Sequence, residues 1–112
     1  ERFSSAARER VEAPDNDLFL SAASCWEIAI KYAAGKLRLP APPAEYLQPL
    51  LDQIRTIPLP VDHRHAFRVA HLPLQHRDPF DRILIAQAQI EGFPIMTSDP
   101  RFAAYDVEVL GT

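Results

Sequence analysis

The chain has 112 residues, 47% of them hydrophobic and 24% charged, with a formal net charge of −3. That length gives room for one domain, and the apolar content is too high for a disordered segment. The near-balanced charge excludes a general nucleic-acid coat protein but not a nucleic-acid enzyme, because divalent cations reverse the sign of an acidic site. The single cysteine, Cys25, excludes an internal disulfide or a cysteine-based metal knuckle and fits a reducing compartment. The longest aliphatic run, residues 83–86, is far below the ~20 residues of a membrane span, so no membrane association is expected. No signal peptide stands ahead of Glu1 and Arg2, which makes the cytoplasm the expected location. An opening Glu in place of Met points to native sequence upstream. Eleven prolines are about twice the usual ~5% and predict short, sharply bounded elements.

In chain order, a first helix is expected over residues 3–13. Phe3, Ala6, Ala7 and Val11 share a face, Ser4 or Ser5 can cap it, and Pro14 stops it. A turn at 15–17 leads to an apolar strand over 18–20, and a second helix follows from about 22 to 34, closed by Gly35. Residues 38–43 make a stiff connector. A third helix over 44–54 carries Leu47, Leu50, Leu51 and Ile54 on one side, and Pro49 should kink or split it. Residues 56–60 read as an extended segment that prolines confine to an edge. Asp62 can cap a helix over 63–71, and a loop runs from 73 to 77.

Asp78 directly before Pro79 places a capping acid ahead of a proline at the first helical position, a strong start signal. The helix it opens runs to Gly92 and is apolar around most of its girth, so it should be buried. A strand over 93–97, a helical turn at 101–104 and a last strand over 107–110 complete the chain. Helices alternating with short strands, with no hairpin signal between them, predict an α/β domain with a parallel sheet.

Three carboxylates stand out by placement. Glu27 lies in the first turns of the second helix, Asp81 in the first turn of the 79–91 helix, and Asp99 just past the strand over 93–97. Ligands of open parallel sheets collect outside the carboxyl ends of strands, where helix N-termini also point. Acids converging there form an oxygen-rich site suited to Mg²⁺ or Mn²⁺ and not to zinc. Each acid also has a structural explanation. Ser24 and Glu27 have capping-box spacing, Asp81 lies three residues after Asp78 beside a helix dipole, and Asp99 before Pro100 is an ordinary cap or turn residue. The histidines His63, His65, His71 and His76 offer a competing zinc constellation. His63 and His65, however, point about 200° apart on a helix, which favours a solvated basic face shared with Arg64 and Arg68. A two-histidine phosphoesterase fails, since neither His63 nor His65 is followed two residues later by a hydroxyl residue.

Two segments carry a family resemblance: residues 21–31 (SAASCWEIAIK) with Gly35-Lys36-Leu37, and residues 76–88 (HRDPFDRILIAQA) with Thr97-Ser98-Asp99. In this order, and with the ending Phe102-Ala103-Ala104-Tyr105, the chain resembles the VapC-like PIN-domain ribonuclease toxins of toxin–antitoxin pairs. The resemblance implies an α/β fold, a PIN-like three-layer sandwich with a short parallel sheet flanked by helices. It implies a Mg²⁺- or Mn²⁺-dependent endoribonuclease that cleaves single-stranded or looped RNA to 5′-phosphate and 3′-hydroxyl ends. By position, Glu27, Asp81 and Asp99 match the family's catalytic, metal-holding acids. Asp78 reads first as a cap and second as an outer support of the site, and Arg82 and Thr97 as supports for the site or the RNA phosphate. A cognate antitoxin and a homodimer are the implied protein partners, and Lys31, Lys36 and Arg38 could guide RNA. The family opens with an apolar strand ending in Asp, which has no counterpart before Phe3. The expectation is therefore one PIN-like domain over 1–112, N-terminally truncated relative to the family, with the first, central strand and its acid absent from this chain. The alternative is a catalytically inactive PIN-like module that docks an antitoxin or self-associates.

Overall fold

A computed structural model describes residues 5–75 and 77–111. The single domain expected from length divides by its contacts into two compact units, residues 11–60 and residues 61–112, the latter grouped with residues 1–10. Helix α1 (Ser5–Glu12) opens the described chain. Of the residues expected on its apolar face and at its cap, Phe3 and Ser4, and the side chains of Ala6 and Ala7, lie outside the described residues, as does His76 further on.

In the unit of residues 11–60, strand β1 (Leu18–Ser21) runs straight into helix α2 (Ala22–Ala33). Ser21 makes that transition: it keeps extended backbone while its Oγ accepts a hydrogen bond from the Ala23 amide at 3.0 Å. Past Ala34, Gly35 takes φ +75, and the Lys36 amide donates to the Lys31 carbonyl at 2.9 Å. This closes the helix as a Schellman motif that only a left-handed residue permits. Helix α3 (Pro43–Gln53) passes through Pro49 without splitting, a correction to one of the two outcomes expected there. Arg55 then turns the chain at φ +59 into strand β2 (Thr56–Leu59). Strand β2 lies parallel to β1, with Leu18 opposite Thr56 and Ser21 opposite Leu59. Only Ser21 and Ala23 are buried among the residues of this unit. Trp26 and Ile30 on α2, and Tyr46, Leu50 and Ile54 on α3, are exposed.

In the other unit, helix α4 (His63–Arg68) continues as a 3₁₀ turn over Val69–His71. Helix α5 (Pro79–Glu91) starts as the sequence demands: the Asp78 carboxylate accepts from the Phe80 amide at 2.9 Å, and Pro79 is the first helical residue. It ends at Gly92, φ +73, where the Gly92 and Phe93 amides both donate to the Ala88 carbonyl. Strand β3 (Ile95–Met96) is shorter than the expected 93–97. Pro94 has no amide to donate, so the ladder begins with Ile95 donating to Glu108 and closes with Thr97 donating to Leu110. Its parallel partner is strand β4 (Val109–Leu110), reached through a 3₁₀ turn over Pro100–Ala104.

Ile85 and Ala86 of α5, fully enclosed, pack with Leu72, Phe102 and Tyr105 to make the core of this unit. Val69, Leu84, Ile95, Val107 and Val109 surround them. The apolar girth of α5 is thus used as expected. Among the described residues the parallel α/β pattern is present as two two-stranded sheets, consistent with the expected sandwich class. Among the described residues, no helix is long and apolar enough to cross a membrane.

Candidate functional site

The acids of the second unit are placed by local chain chemistry. Asp78 and Asp81 stand at the N-terminus of α5, where the helix dipole favours negative charge. Asp99 caps the 3₁₀ turn beyond β3, its Oδ1 accepting from the Arg101 amide at 2.9 Å. Thr97 fixes the approach: its Oγ1 accepts from the Asp99 amide at 3.0 Å, while its own amide is held in the β3–β4 ladder. Thr97 thereby orients the backbone that carries Asp99.

Asp99 is also paired with a cation. The Arg101 guanidinium grips Asp99 through Nε at 3.1 and 3.2 Å and through Nη2 at 2.8 Å. Hydrogen bonding to Asp99 first, and then the charge of Asp99, hold Arg101 above its ordinary value. The charges of Asp81 and Asp78 also favour the Arg101 cation, more weakly than its direct partner Asp99 does. The donors there are hard oxygens throughout, the chemistry that fits Mg²⁺ or Mn²⁺. They are not drawn in to coordination distances: among the described residues no group of three His, Cys, Asp or Glu side chains is gathered tightly enough to hold a metal ion.

Glu27 belongs to the other unit, on α2. Its Oε2 accepts from Lys31 Nζ at 2.9 Å, one helical turn on, which ties Lys31 to an acid as well as to any RNA-guiding role. The capping-box explanation of Glu27 is corrected. The helix begins at Ala22, capped by Ser21, so Ser24 lies inside it and Glu27 is well past the first turn.

Arg82 has a task beyond the one expected. It is buried, and it donates to the carbonyls of Val69 at 3.1 Å, Leu72 at 3.3 Å and Pro73 at 2.7 Å. Those carbonyls belong to the first residue of the 3₁₀ turn after α4, to the residue that caps it and to the start of the loop before α5. Arg82 thereby fixes the segment that delivers Asp78 to its cap.

The expectation of a wholly solvated basic face on α4 is also corrected. His63 is exposed as expected, but His65 is 1% exposed. The Asp62 amide donates to His65 Nδ1 at 3.0 Å, so Nε2 is the nitrogen that donates, to Glu91 Oε2 at 2.9 Å. Arg64 Nη2 spans Asp62 and Glu91 at 2.9 and 3.0 Å. This network pins α4 to the end of α5 and absorbs the buried His65 of the zinc constellation. Neither Arg101 nor the His65–Glu91 pair was marked from the sequence. The signals were present in part: Asp99-Pro100-Arg101 puts the arginine two residues past its own cap, and Asp62 with His65 has capping-box spacing with histidine in the place of glutamate.

A family model described as the PIN domain matches residues 1–108. Ribonuclease VapC16 from Mycobacterium tuberculosis (strain ATCC 25618 / H37Rv) is 52% identical over 50 residues, which cover 45% of this chain and 36% of that protein. The chain thus matches little more than a third of the relative's length.

Proposed function

The chain belongs to the PIN-domain family, and from that premise we propose that it is the acidic portion of a VapC-like, divalent-metal-dependent endoribonuclease, the toxin of a toxin–antitoxin pair. The observation that carries this reading is the placement of acids at element starts in one unit: Asp78 and Asp81 at the N-terminus of α5, and Asp99 at the 3₁₀ turn beyond β3, where it is held by Thr97 and paired with Arg101. Identity to a ribonuclease over 50 residues supports RNA as the substrate class.

In this reading Glu27, Asp81 and Asp99 are the ligands of Mg²⁺ or Mn²⁺, and Asp78 holds the start of α5 so that Asp81 keeps its direction. When bound, such an ion activates water and neutralises charge that grows on the phosphate during in-line attack. One of the carboxylates accepts the proton that the attacking water gives up. Thr97 keeps Asp99 aimed through its backbone, and Arg82 keeps the loop before α5 from drifting. The leaving group is the 3′-oxygen, which gives 5′-phosphate and 3′-hydroxyl ends. A cognate antitoxin and a second copy of the chain are the protein partners of this reading, and the cytoplasm is its location.

The exposed Trp26 and Ile30 on α2, with Tyr46, Leu50 and Ile54 on α3, favour a second reading. In it the chain docks an antitoxin or another copy through an apolar helical surface and cleaves nothing. One experiment separates the two. Mn²⁺ is titrated calorimetrically into the wild type, Glu27→Gln, Asp81→Asn and Asp99→Asn, and the same proteins are incubated with a single-stranded RNA, with and without EDTA. Metal binding and EDTA-sensitive cleavage that both fall by at least about 100-fold in the variants support the nuclease. Binding that ignores all three substitutions, with no cleavage, leaves the docking module.

A further inference from the structure

We propose that Arg101 is the built-in counter-cation of the acidic site, competing with a divalent metal ion for Asp99 and releasing that carboxylate when the ion binds. The inference rests on the nuclease reading above and adds a residue to it.

Both oxygens of Asp99 are engaged by one residue. Oδ1 accepts from the Arg101 amide at 2.9 Å and from Nε at 3.1 Å, and Oδ2 accepts from Nε at 3.2 Å and Nη2 at 2.8 Å. A carboxylate has about four lone-pair positions, so an ion that needs one of them must displace a donor. The two kinds of donor differ in what their departure costs. The amide is part of the cap that shapes the 3₁₀ turn, whereas the guanidinium sits on a side chain that is 64% exposed. An exposed ion pair of this kind is weak and readily broken. The guanidinium is therefore the ligand that leaves, and the amide keeps Asp99 aimed while it does.

Charge points the same way. A divalent ion and a guanidinium cannot both sit against the same carboxylates without repulsion, and Arg101 already lies in the field of Asp81 and Asp78 as well as Asp99. Removing the arginine leaves Asp99 without its cation and the charges of Asp81 and Asp78 with less compensation, which makes an incoming cation more welcome. A merely structural surface arginine has the opposite signature, since its loss would loosen the turn and weaken whatever Asp99 binds.

The test is a calorimetric titration of Mn²⁺ into the wild type, Arg101→Ala and Arg101→Lys at low ionic strength. Arg101→Ala is expected to bind about two- to fivefold more tightly than the wild type, the scale of a lost exposed pair. Arg101→Lys, which keeps the charge without the fork, should fall between them. The gap should shrink as salt approaches ~0.15 M. Affinity in Arg101→Ala that is equal to or weaker than the wild type overturns the inference. Asp81→Asn and Asp99→Asn identify which idea has failed: if they abolish Mn²⁺ binding while Arg101→Ala changes nothing, only the counter-cation role falls. If no binding depends on the acids, the nuclease reading falls and takes this inference with it.

Discussion

His65 and Glu91, 26 residues apart in sequence, meet at 2.9 Å between Nε2 and Oε2, and the imidazole that joins them is almost wholly removed from solvent. Because the Asp62 amide already occupies Nδ1, the ring has no spare nitrogen for a metal ion without breaking one of these bonds. The pair is a clasp between α4 and the last turn of α5.

Replacing His65 with Ala should cost about 2–4 kcal/mol, from the lost packing and from the two hydrogen-bonding groups left without it. Glu91→Gln should cost about 1 kcal/mol or less, since an amide oxygen can still accept from Nε2. Urea denaturation of the two variants beside the wild type checks the ranking. Equal effects would mean that the carboxylate's charge, and not the buried ring, holds the clasp.

The same cluster gives a sign to acid sensitivity. Hydrogen bonding from Arg64 holds Asp62 well below the usual carboxylate range, at about 2 against an ordinary 3.8. Hydrogen bonding from His65, with help from Arg64, lowers Glu91 from 4.5. A carboxyl group whose folded value lies below its unfolded one stabilises the fold fully above the unfolded value and loses that contribution as pH falls toward the folded one. The urea midpoint should therefore drop as pH falls from about 4 toward about 2, and Asp62→Asn should have a shallower drop. Solvent screening at this exposed position keeps the difference small. A variant that keeps the full wild-type slope would refute the assignment.

Arg82→Ala should destabilise by about 2–4 kcal/mol, because three carbonyls at buried and part-buried positions lose a charged donor. Arg82→Lys should recover less than half of that, as a single ammonium cannot imitate a planar fork that reaches Val69, Leu72 and Pro73 together. Amide hydrogen exchange of residues 69–72 should rise in both variants. Full rescue by lysine would show that charge alone suffices there.

Gly92→Ala isolates backbone strain. Nothing lies within 4 Å of a Cβ built at this position, yet its φ is +73. The cost should be about 1 kcal/mol from the left-handed conformation alone. Gly92→Asn should lose less, since asparagine visits that region more readily. Thermal denaturation of both variants is the measurement, and an alanine variant as stable as the wild type would contradict it.

What the sequence by itself determined was local. The start of α5 at Asp78 and Pro79, its end at Gly92, the end of α2 at Gly35 and the cap at Asp62 all follow from chemistry within four or five residues: a side chain that satisfies an exposed amide, a fixed φ, or a missing Cβ. The family, too, was legible, because its motifs are short runs read in order. What only the tertiary structure decided depends on residues far apart in the chain. The apolar period could not say that His65 turns inward, because the acid that makes its burial tolerable lies on α5. Nor could it give Arg82 its three carbonyls, which lie nine to thirteen residues earlier in the chain. Spacing records which groups a helix or turn brings together, whereas a buried charge is settled by partners that only folding delivers.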